Sequence, residues 1–352
     1  MSSTPLTRIA TVFVGSAMLL TLGGATVPGE DAAVTALEPT DAVRVEYAWP
    51  RAVPYPADNI HTPAREALGK ALFFDPRLSG SQWISCATCH NPALGWEDGL
   101  PTAIGHGMEV LGRKTPTILN LAWAPQLFWD GRAYSLEEQA LGPIEAAGEM
   151  NLPLDQMVAR VAAISGYQDM FEAAYPGEGV SEATVGKAIA TYERTIVSGT
   201  APFDRWVGGD RNAVSDAAKR GFALFTGRAN CAACHSGPRF TDDSFHDIGV
   251  VGDDMGRADL IPGVPILEYA FKTPTLRNIA QRAPYMHNGS EATLADVIDL
   301  YALGGREHRP SLSNEMRPFD ASDRDRADLV AFLESLTSRD APVVLPVLPV
   351  NN

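Results

Sequence analysis

The chain is short of cysteine, of positive charge and of long apolar runs. Its 352 residues contain four cysteines, and none lies outside two pentads, Cys86-Ala-Thr-Cys89-His90 and Cys231-Ala-Ala-Cys234-His235. Lysine and arginine together number 28 against 43 acidic residues, a formal charge of −15. That balance argues against nucleic acid and suits basic or dipolar protein partners, although an acidic surface also serves solubility alone. The only extended apolar run, Ile9 to Leu22, falls short of the roughly 18–20 residues a membrane-spanning helix needs. With Arg8 before it and Gly23-Gly24-Ala25 after it, it reads as part of a secretory signal over residues 1–26. No other stretch is apolar enough to span a bilayer, and strand-like alternation never exceeds short fragments.

What the chain does have is the Cys-X-X-Cys-His spacing, twice. This is the attachment signature of c-type heme: two thiols one short turn apart add to the two vinyl groups of a porphyrin, and the adjacent histidine becomes the proximal iron ligand. A four-cysteine zinc site would not need a histidine after each pair, and a thioredoxin-like dithiol would not come twice. Two covalent hemes c follow. Attachment of such hemes takes place outside the bacterial cytoplasm, so pentads and signal agree on the periplasm.

The second half echoes the first. Thr115-Pro116-Thr117-Ile118-Leu119-Asn120 returns as Thr273-Pro274-Thr275-Leu276-Arg277-Asn278, and the same offset carries Trp129-Asp130-Gly131-Arg132 onto His287-Asn288-Gly289-Ser290. Upstream, Leu68-Gly69-Lys70-Ala71-Leu72-Phe73 parallels Arg220-Gly221-Phe222-Ala223-Leu224-Phe225. The expected fold is mainly α: two tandem cytochrome c-like helical domains, at 61–205 and 206–340, each with one covalent heme c. An extended lead-in (27–60) precedes them and a loosely held tail (341–352) follows. Periodicity and capping signals predict helices over Ala64–Phe74, Pro153–Ala163, Ser181–Val197, Asp216–Thr226 and Ser322–Leu336, with capping boxes at Ser135/Glu138 and Thr293/Asp296.

Each iron keeps one axial position beyond its proximal histidine. A strong sixth ligand makes an electron-transfer heme; a free or displaceable position admits peroxide or oxygen. The repeat sets Tyr301 in the second half opposite Pro143 in the first. Proline cannot ligate iron, so if Tyr301 reaches the second heme, the matching direction at the first is open. Gln139 and Glu149 flank that direction: an amide to orient peroxide, a carboxylate to move its proton from the near to the far oxygen. Trp129, ordinarily a core or turn indole, becomes a candidate relay between the redox centres. His106, between Gly105 and Gly107, sits in a stretch able to bring an imidazole to a metal and withdraw it. Asp130, Arg113, Arg132 and Arg277 are candidate turn or propionate partners. His61, His246, His287 and His308 read as structural.

From about Leu68 to Leu336 the sequence resembles the di-heme bacterial cytochrome c peroxidase and MauG family. The resemblance is carried by Leu-Phe-Phe-Asp-Pro-Arg-Leu-Ser (72–79), both pentads, Phe-Trp-Asp-Gly-Arg (128–132), Glu-Gln-Ala-Leu-Gly-Pro (138–143), Glu149-Met150-Asn151, Thr-Pro-Thr-Leu-Arg-Asn (273–278) and Pro-Tyr-Met-His-Asn-Gly (284–289). It implies that the heme with proximal His90 reacts with hydrogen peroxide, that Gln139 and Glu149 are its distal catalytic residues, that Trp129 lies between the hemes, and that the heme with proximal His235 takes or shares charge. Peroxidases of the family place a methionine where this chain has Tyr301. Tyrosine is the MauG choice, favouring storage of oxidising equivalents as high-valent iron and oxidation of a bound client protein. Met286 and Met316 are fallback ligands. His106 instead matches the displaceable histidine of the peroxidases, which reduce peroxide to water with electrons from a small cytochrome c or a cupredoxin and are often homodimers. A non-catalytic di-heme electron carrier is the reading of another class. The family also holds calcium between its hemes through an asparagine side chain and backbone carbonyls. Here Lys114 falls at the asparagine and Arg282 near a carbonyl donor, which argues against the ion because an ammonium cannot ligate it.

Overall fold

The structure, a computed structural model, describes Met1 and residues 38–351; the expected signal sequence, apart from Met1, lies outside them. Eleven α-helical segments are found among the described residues: α1 Asp41–Glu46, α2 Pro63–Phe73, α3 Cys86–Cys89, α4 Leu136–Glu145, α5 Leu154–Ala162, α6 Ser165–Ala174, α7 Glu182–Arg194, α8 Pro202–Val207, α9 Asp216–Thr226, α10 Leu294–Leu303 and α11 Asp323–Glu334. The only strands among the described residues, Phe245–His246 (β1) and Phe271–Lys272 (β2), form one short antiparallel pair. No helix among the described residues is long and apolar enough to cross a membrane.

The duplication is visible atom by atom. In the first half α2 crosses α7 so closely that a Cβ on Gly69 would lie 1.9 Å from the Ala188 carbonyl oxygen. In the second half α9 crosses α11, and a Cβ on Gly221 would lie 1.9 Å from the Asp328 carbonyl oxygen. Only glycine permits either approach. The repeated Thr-Pro-Thr segments end on Asn120 (φ +63°) and Asn278 (φ +57°), both in the left-handed region that asparagine tolerates. Each side-chain oxygen accepts a backbone amide at 2.9 Å, from Ser198 and from Ser338. Each half also has its own core: Leu68, Phe73, Met157, Tyr167, Phe171 and Ile189 in the first, Phe203, Trp206, Phe222, Phe240 and Phe332 in the second.

Helix ends follow their capping residues. Thr62, Ser181, Ser215, Thr293 and Ser322 each accept a first-turn amide. The box expected at Ser135 is only half formed: Ser135 accepts the Glu138 amide, but Glu138 reaches back to the amide of Tyr134. Pro153 caps α5 from outside it.

Two expectations about the ends need correction. The lead-in is not simply extended, because α1 delivers Tyr47 into the second core, where its ring meets Phe203, Phe222 and Phe240 at 5.0–5.6 Å. Further along, fully buried Asn59 bonds Glu137 and the Lys187 carbonyl in the first half. The tail is also held: Val350 and Pro349 carbonyls accept from the Gly166 amide and Arg77, and Asn351 accepts the Ser165 amide. Proline–valine composition hid these contacts because backbone carbonyls, not side chains, make most of them.

Candidate functional site

The pentads fold as single tight turns. The His90 amide closes on the Cys86 carbonyl at 2.8 Å and the His235 amide on the Cys231 carbonyl at 2.9 Å. All four thiols are free, and burial pushes Cys89 up to about 11 and Cys231 up to about 12. The histidines are posed alike. His90 Nδ1 faces the Trp96 carbonyl at 3.2 Å and His235 Nδ1 the Phe240 carbonyl at 2.9 Å. Burial lowers both pKa values, favouring neutral rings. A neutral imidazole can donate only Nδ1–H to such a carbonyl, which leaves the Nε2 lone pair for a metal.

Each pair of cysteines opens into its own cavity, which excludes one shared four-cysteine site. The first, about 1600 Å³, is walled by Cys86, Cys89, His90, Gln139, Pro143 and Glu149, among others. The second, about 1380 Å³, includes Cys231, Cys234, His235, Met286, Tyr301 and Met316 in its wall. A third of about 770 Å³ lies between them and is lined in part by Lys114, Lys272, Arg239 and Arg282. Trp129 is the one described residue shared by the walls of the two cysteine-bearing cavities. Its indole N–H donates to the Lys114 carbonyl at 2.8 Å, and its own carbonyl accepts the Lys272 amide at 2.8 Å. Free thiols, correctly posed imidazoles and a buried Gln139 Oε1 without a partner fit a covalent heme in each cavity.

The two cavities differ where the repeat predicts. Helix α4 turns Gln139 and Pro143 toward the first; α10 turns Tyr301 toward the second. Burial, with the Cys231 and Cys234 thiols nearby, raises the Tyr301 pKa. In the first cavity burial also raises Glu149, opposed by Arg132, which brings its carboxyl closer to exchanging protons near neutrality. The backbone before Glu149 packs on Gly105, where a Cβ would meet the Gly148 carbonyl oxygen at 1.9 Å. His106 donates its amide to that carbonyl at 3.0 Å. Its ring is not in the wall of the first cavity; the neighbouring Gly105 is, and His106 Nδ1 is buried without a partner.

Comparison with known proteins agrees with this architecture. Residues 63–212 match the family model "Di-haem cytochrome c peroxidase" and residues 218–337 match "Cytochrome c". The chain is 53% identical to the methylamine utilization protein MauG of Methylorubrum extorquens over 95% of both chains. It is 37% identical to the cytochrome c551 peroxidase of Nitrosomonas europaea, over 81% of this chain and 83% of that one. The chain belongs to the di-heme cytochrome c peroxidase and MauG family. A solved MauG-like protein associated with microbial copper homeostasis superposes with a TM-score of 0.76 at 32% identity, covering 83% of this chain and 96% of that one. The chain is accordingly an oxidoreductase with two tandem cytochrome c-type domains and two covalent hemes c.

Other candidates fall less evenly. Arg113 is spent on Asp130 and Asp254, both at 2.6 Å. Arg132 pairs with Asp130 and lies over the Phe128 ring, in the wall of the first cavity. Arg277 is buried against Asp204 and the Pro238 carbonyl, outside all three cavity walls, with Nη2 unpaired among the described residues. His61 and His246 pair with Glu66 and Asp242, each at 2.8 Å. The Asp242 carboxylate holds His246 up to about 10, with Cys234 adding to it. Cys234, Asp242 and His246 also form the one metal-compatible cluster among the described residues, but a thioether bond to heme removes its thiolate. His287 stacks on Phe271 at 3.6 Å, and burial drops its pKa to about 4.

At the position where the family resemblance would put calcium, the Lys114 ammonium lies 2.5 Å from Glu97 Oε2 and Arg282 lies 3.5 Å from Oε1. The Lys114 contact is an ion pair without hydrogen-bond direction, and neither atom has another partner among the described residues. Two cations already neutralise the one carboxylate. These residues do not fit a calcium ion.

Residue-by-residue reading overlooked Glu193. It lies on α7 one turn after Ile189, and both side chains belong to the wall of the first cavity. It is 3% exposed, and its Oε2 has no hydrogen-bond partner among the described residues. The available signal was the uncharged run Ala188-Ile189-Ala190-Thr191-Tyr192 before it, which marks a helix buried on every side.

Proposed function

We propose that the chain is an exported, periplasmic oxidoreductase that admits hydrogen peroxide to the His90 cavity and oxidises a client protein docked at its surface. The domains run over about 61–205 and 206–340, and the likeness to MauG suggests a client within methylamine utilisation. The observation that carries this reading is the difference between the cavities: a proline, an amide and a carboxyl in one, a phenol in the other.

When bound, each heme supplies an iron able to give up electrons to peroxide. Everything else falls to side chains. His90 and His235 present Nε2 to the metals because their Nδ1 positions are tied to carbonyls. Gln139 orients the peroxide through its unpaired Oε1 or its amide hydrogens. Glu149 takes the proton from the near oxygen and returns it to the far one. Tyr301 would hold the iron of the second cavity through its phenol oxygen, which would favour the ferric state. Trp129, fixed at both its indole and its carbonyl, spans the distance between the two.

The test is Glu149→Gln, followed by mixing ferric holoprotein with peroxide. Loss of acid–base help slows O–O cleavage by about 10²–10⁴-fold; near wild-type rates would remove Glu149 from the mechanism. The same experiment separates the modes. A persistent spectral change in ferric protein marks the MauG-like mode. Turnover appearing only after half-reduction marks a peroxidase fed by a small cytochrome c or a cupredoxin.

A further inference from the structure

We propose that Glu193 is a second acid of the His90 cavity, holding a proton there and passing it through Glu149 to the products of peroxide reduction. The inference rests on reading that cavity as the peroxide site.

Residues from Thr184 to Arg194 on α7 are buried with one exception, Lys187. Within this stretch Glu193 is the acidic side chain. The nearest cation, Arg194, steadies a charge there only in part, because Glu137 on α4 holds that guanidinium with both oxygens at 2.6 and 2.9 Å. Glu137 therefore presents negative charge toward the same region. Glu66 on α2, the other charged group facing this end of α7, is paired with His61. From the pentad the facing group is Cys86, near both Glu193 and Glu149, whose sulfur carries no charge once bonded to heme. A carboxylate in such a place has no cation in hydrogen-bond contact among the described residues, and burial together with Glu137 outweighs the pull of Arg194. Burial pushes Glu193 up to about 8, so at neutral pH it carries a proton.

A purely structural acid would be hydrogen-bonded, since burying an unpaired carboxyl is a net cost that glutamine or leucine would lessen. Glu193 instead keeps Oε2 unpaired in the wall shared with Gln139 and Glu149. The chemistry has a use for it. Reducing one hydrogen peroxide to two waters consumes two electrons and two protons. The client protein supplies the electrons. Glu149 shuttles a proton between the two peroxide oxygens but ends as it began, so the protons of the final water must come from elsewhere. Glu193 gives up one, becomes a carboxylate, and recovers a proton from solvent between turnovers; the second proton enters from solvent during the turnover itself.

Because Glu193 acts through Glu149, its test needs readouts that a packing role would not move. Wild type, Glu193→Gln and Glu193→Asp are compared as holoproteins. Glu193→Gln should retain heme content, ferric spectra and the KM for peroxide, and its single-turnover O–O step should stay near wild type. Its kcat should fall about tenfold or more, and the alkaline limb near pH 8 in the wild-type profile should vanish. Glu193→Asp should restore part of kcat with a displaced limb. Infrared spectra should show a protonated-carboxyl C=O band in wild type at pH 7 that is absent in Glu193→Gln and disappears above about pH 8. Active wild type together with a Glu193→Gln variant matching it in kcat, pH profile and infrared spectrum overturns the inference alone. If Glu193→Gln fails to take up heme, an alkaline limb unmoved in Glu193→Asp overturns it. Wild type inert to peroxide overturns the reading of the cavity and the inference with it.

Discussion

Substituting Glu97 by glutamine probes the joint between the two heme cavities. Glu97, Lys114 and Arg282 have side chains 6%, 3% and 2% exposed. Burial alone raises the Glu97 pKa and lowers that of Arg282, and each charge is sustained by the others. Removing the carboxylate leaves an ammonium and a guanidinium facing each other in a dry site. Breaking a buried pair in this way costs about 3–5 kcal/mol, far more than the pair contributes beyond apolar replacements. For a unit of this size that is a fall in Tm of roughly 10 °C. The damage should also reach function, because Lys114 is a junction: its amide donates to the His287 carbonyl at 2.7 Å and its carbonyl receives the Trp129 indole at 2.8 Å. Calorimetry of the holoprotein at a fixed scan rate gives the first quantity, and the rate of electron equilibration between the hemes gives the second. A paired Glu97→Gln/Lys114→Met variant should recover a large part of the lost stability. A single variant within about 0.5 kcal/mol of wild type would show that these charges are hydrated, and would refute the reasoning.

Four further outcomes follow from the same geometry. Tyr301→Phe should change the spectrum and potential of the His235 heme and leave the other as it was; two unchanged hemes would remove Tyr301 as a ligand. Gly105→Ala should keep its hemes yet lose peroxide reactivity by about tenfold or more, because the added Cβ displaces the Gly148–Glu149 backbone; normal kinetics would show that this packing does not place Glu149. His106→Ala should leave the ferric spectrum unaltered, since the ring stands outside the first cavity wall; a new high-spin signal would assign it as a ligand. Stability should depend on pH through Glu193. Burial raises its pKa from 4.5 to about 8, so the folded state binds the extra proton in that window, and wild type should lose stability relative to Glu193→Gln as pH climbs from about 4.5 to 8. A constant difference across that range would show that Glu193 is not shifted.

Much of this architecture is legible in the sequence because its strongest signals are local. A pentad needs five consecutive residues, and the repeat aligns Gly69 with Gly221 and Asn120 with Asn278, positions where steric limits leave little choice. Helix α9 runs over the expected Asp216–Thr226 because Ser215 caps it and its apolar face is periodic. What escaped depends on partners remote in the chain. Arg277 resembles an anion binder until Asp204 is seen beside it. That Glu137, from another helix, claims Arg194 cannot be read from the residues beside it. Tyr47 reads as part of an extended lead-in because nothing near it announces the aromatic cluster it enters.

Electron paramagnetic resonance of the ferric holoprotein, beside Tyr301→Phe, tests the central asymmetry most directly. The account predicts one high-spin center at the His90 heme and one low-spin center at the His235 heme, with only the low-spin signal altered by the substitution. Two low-spin signals that persist through half-reduction, or a substitution that alters neither, would contradict it.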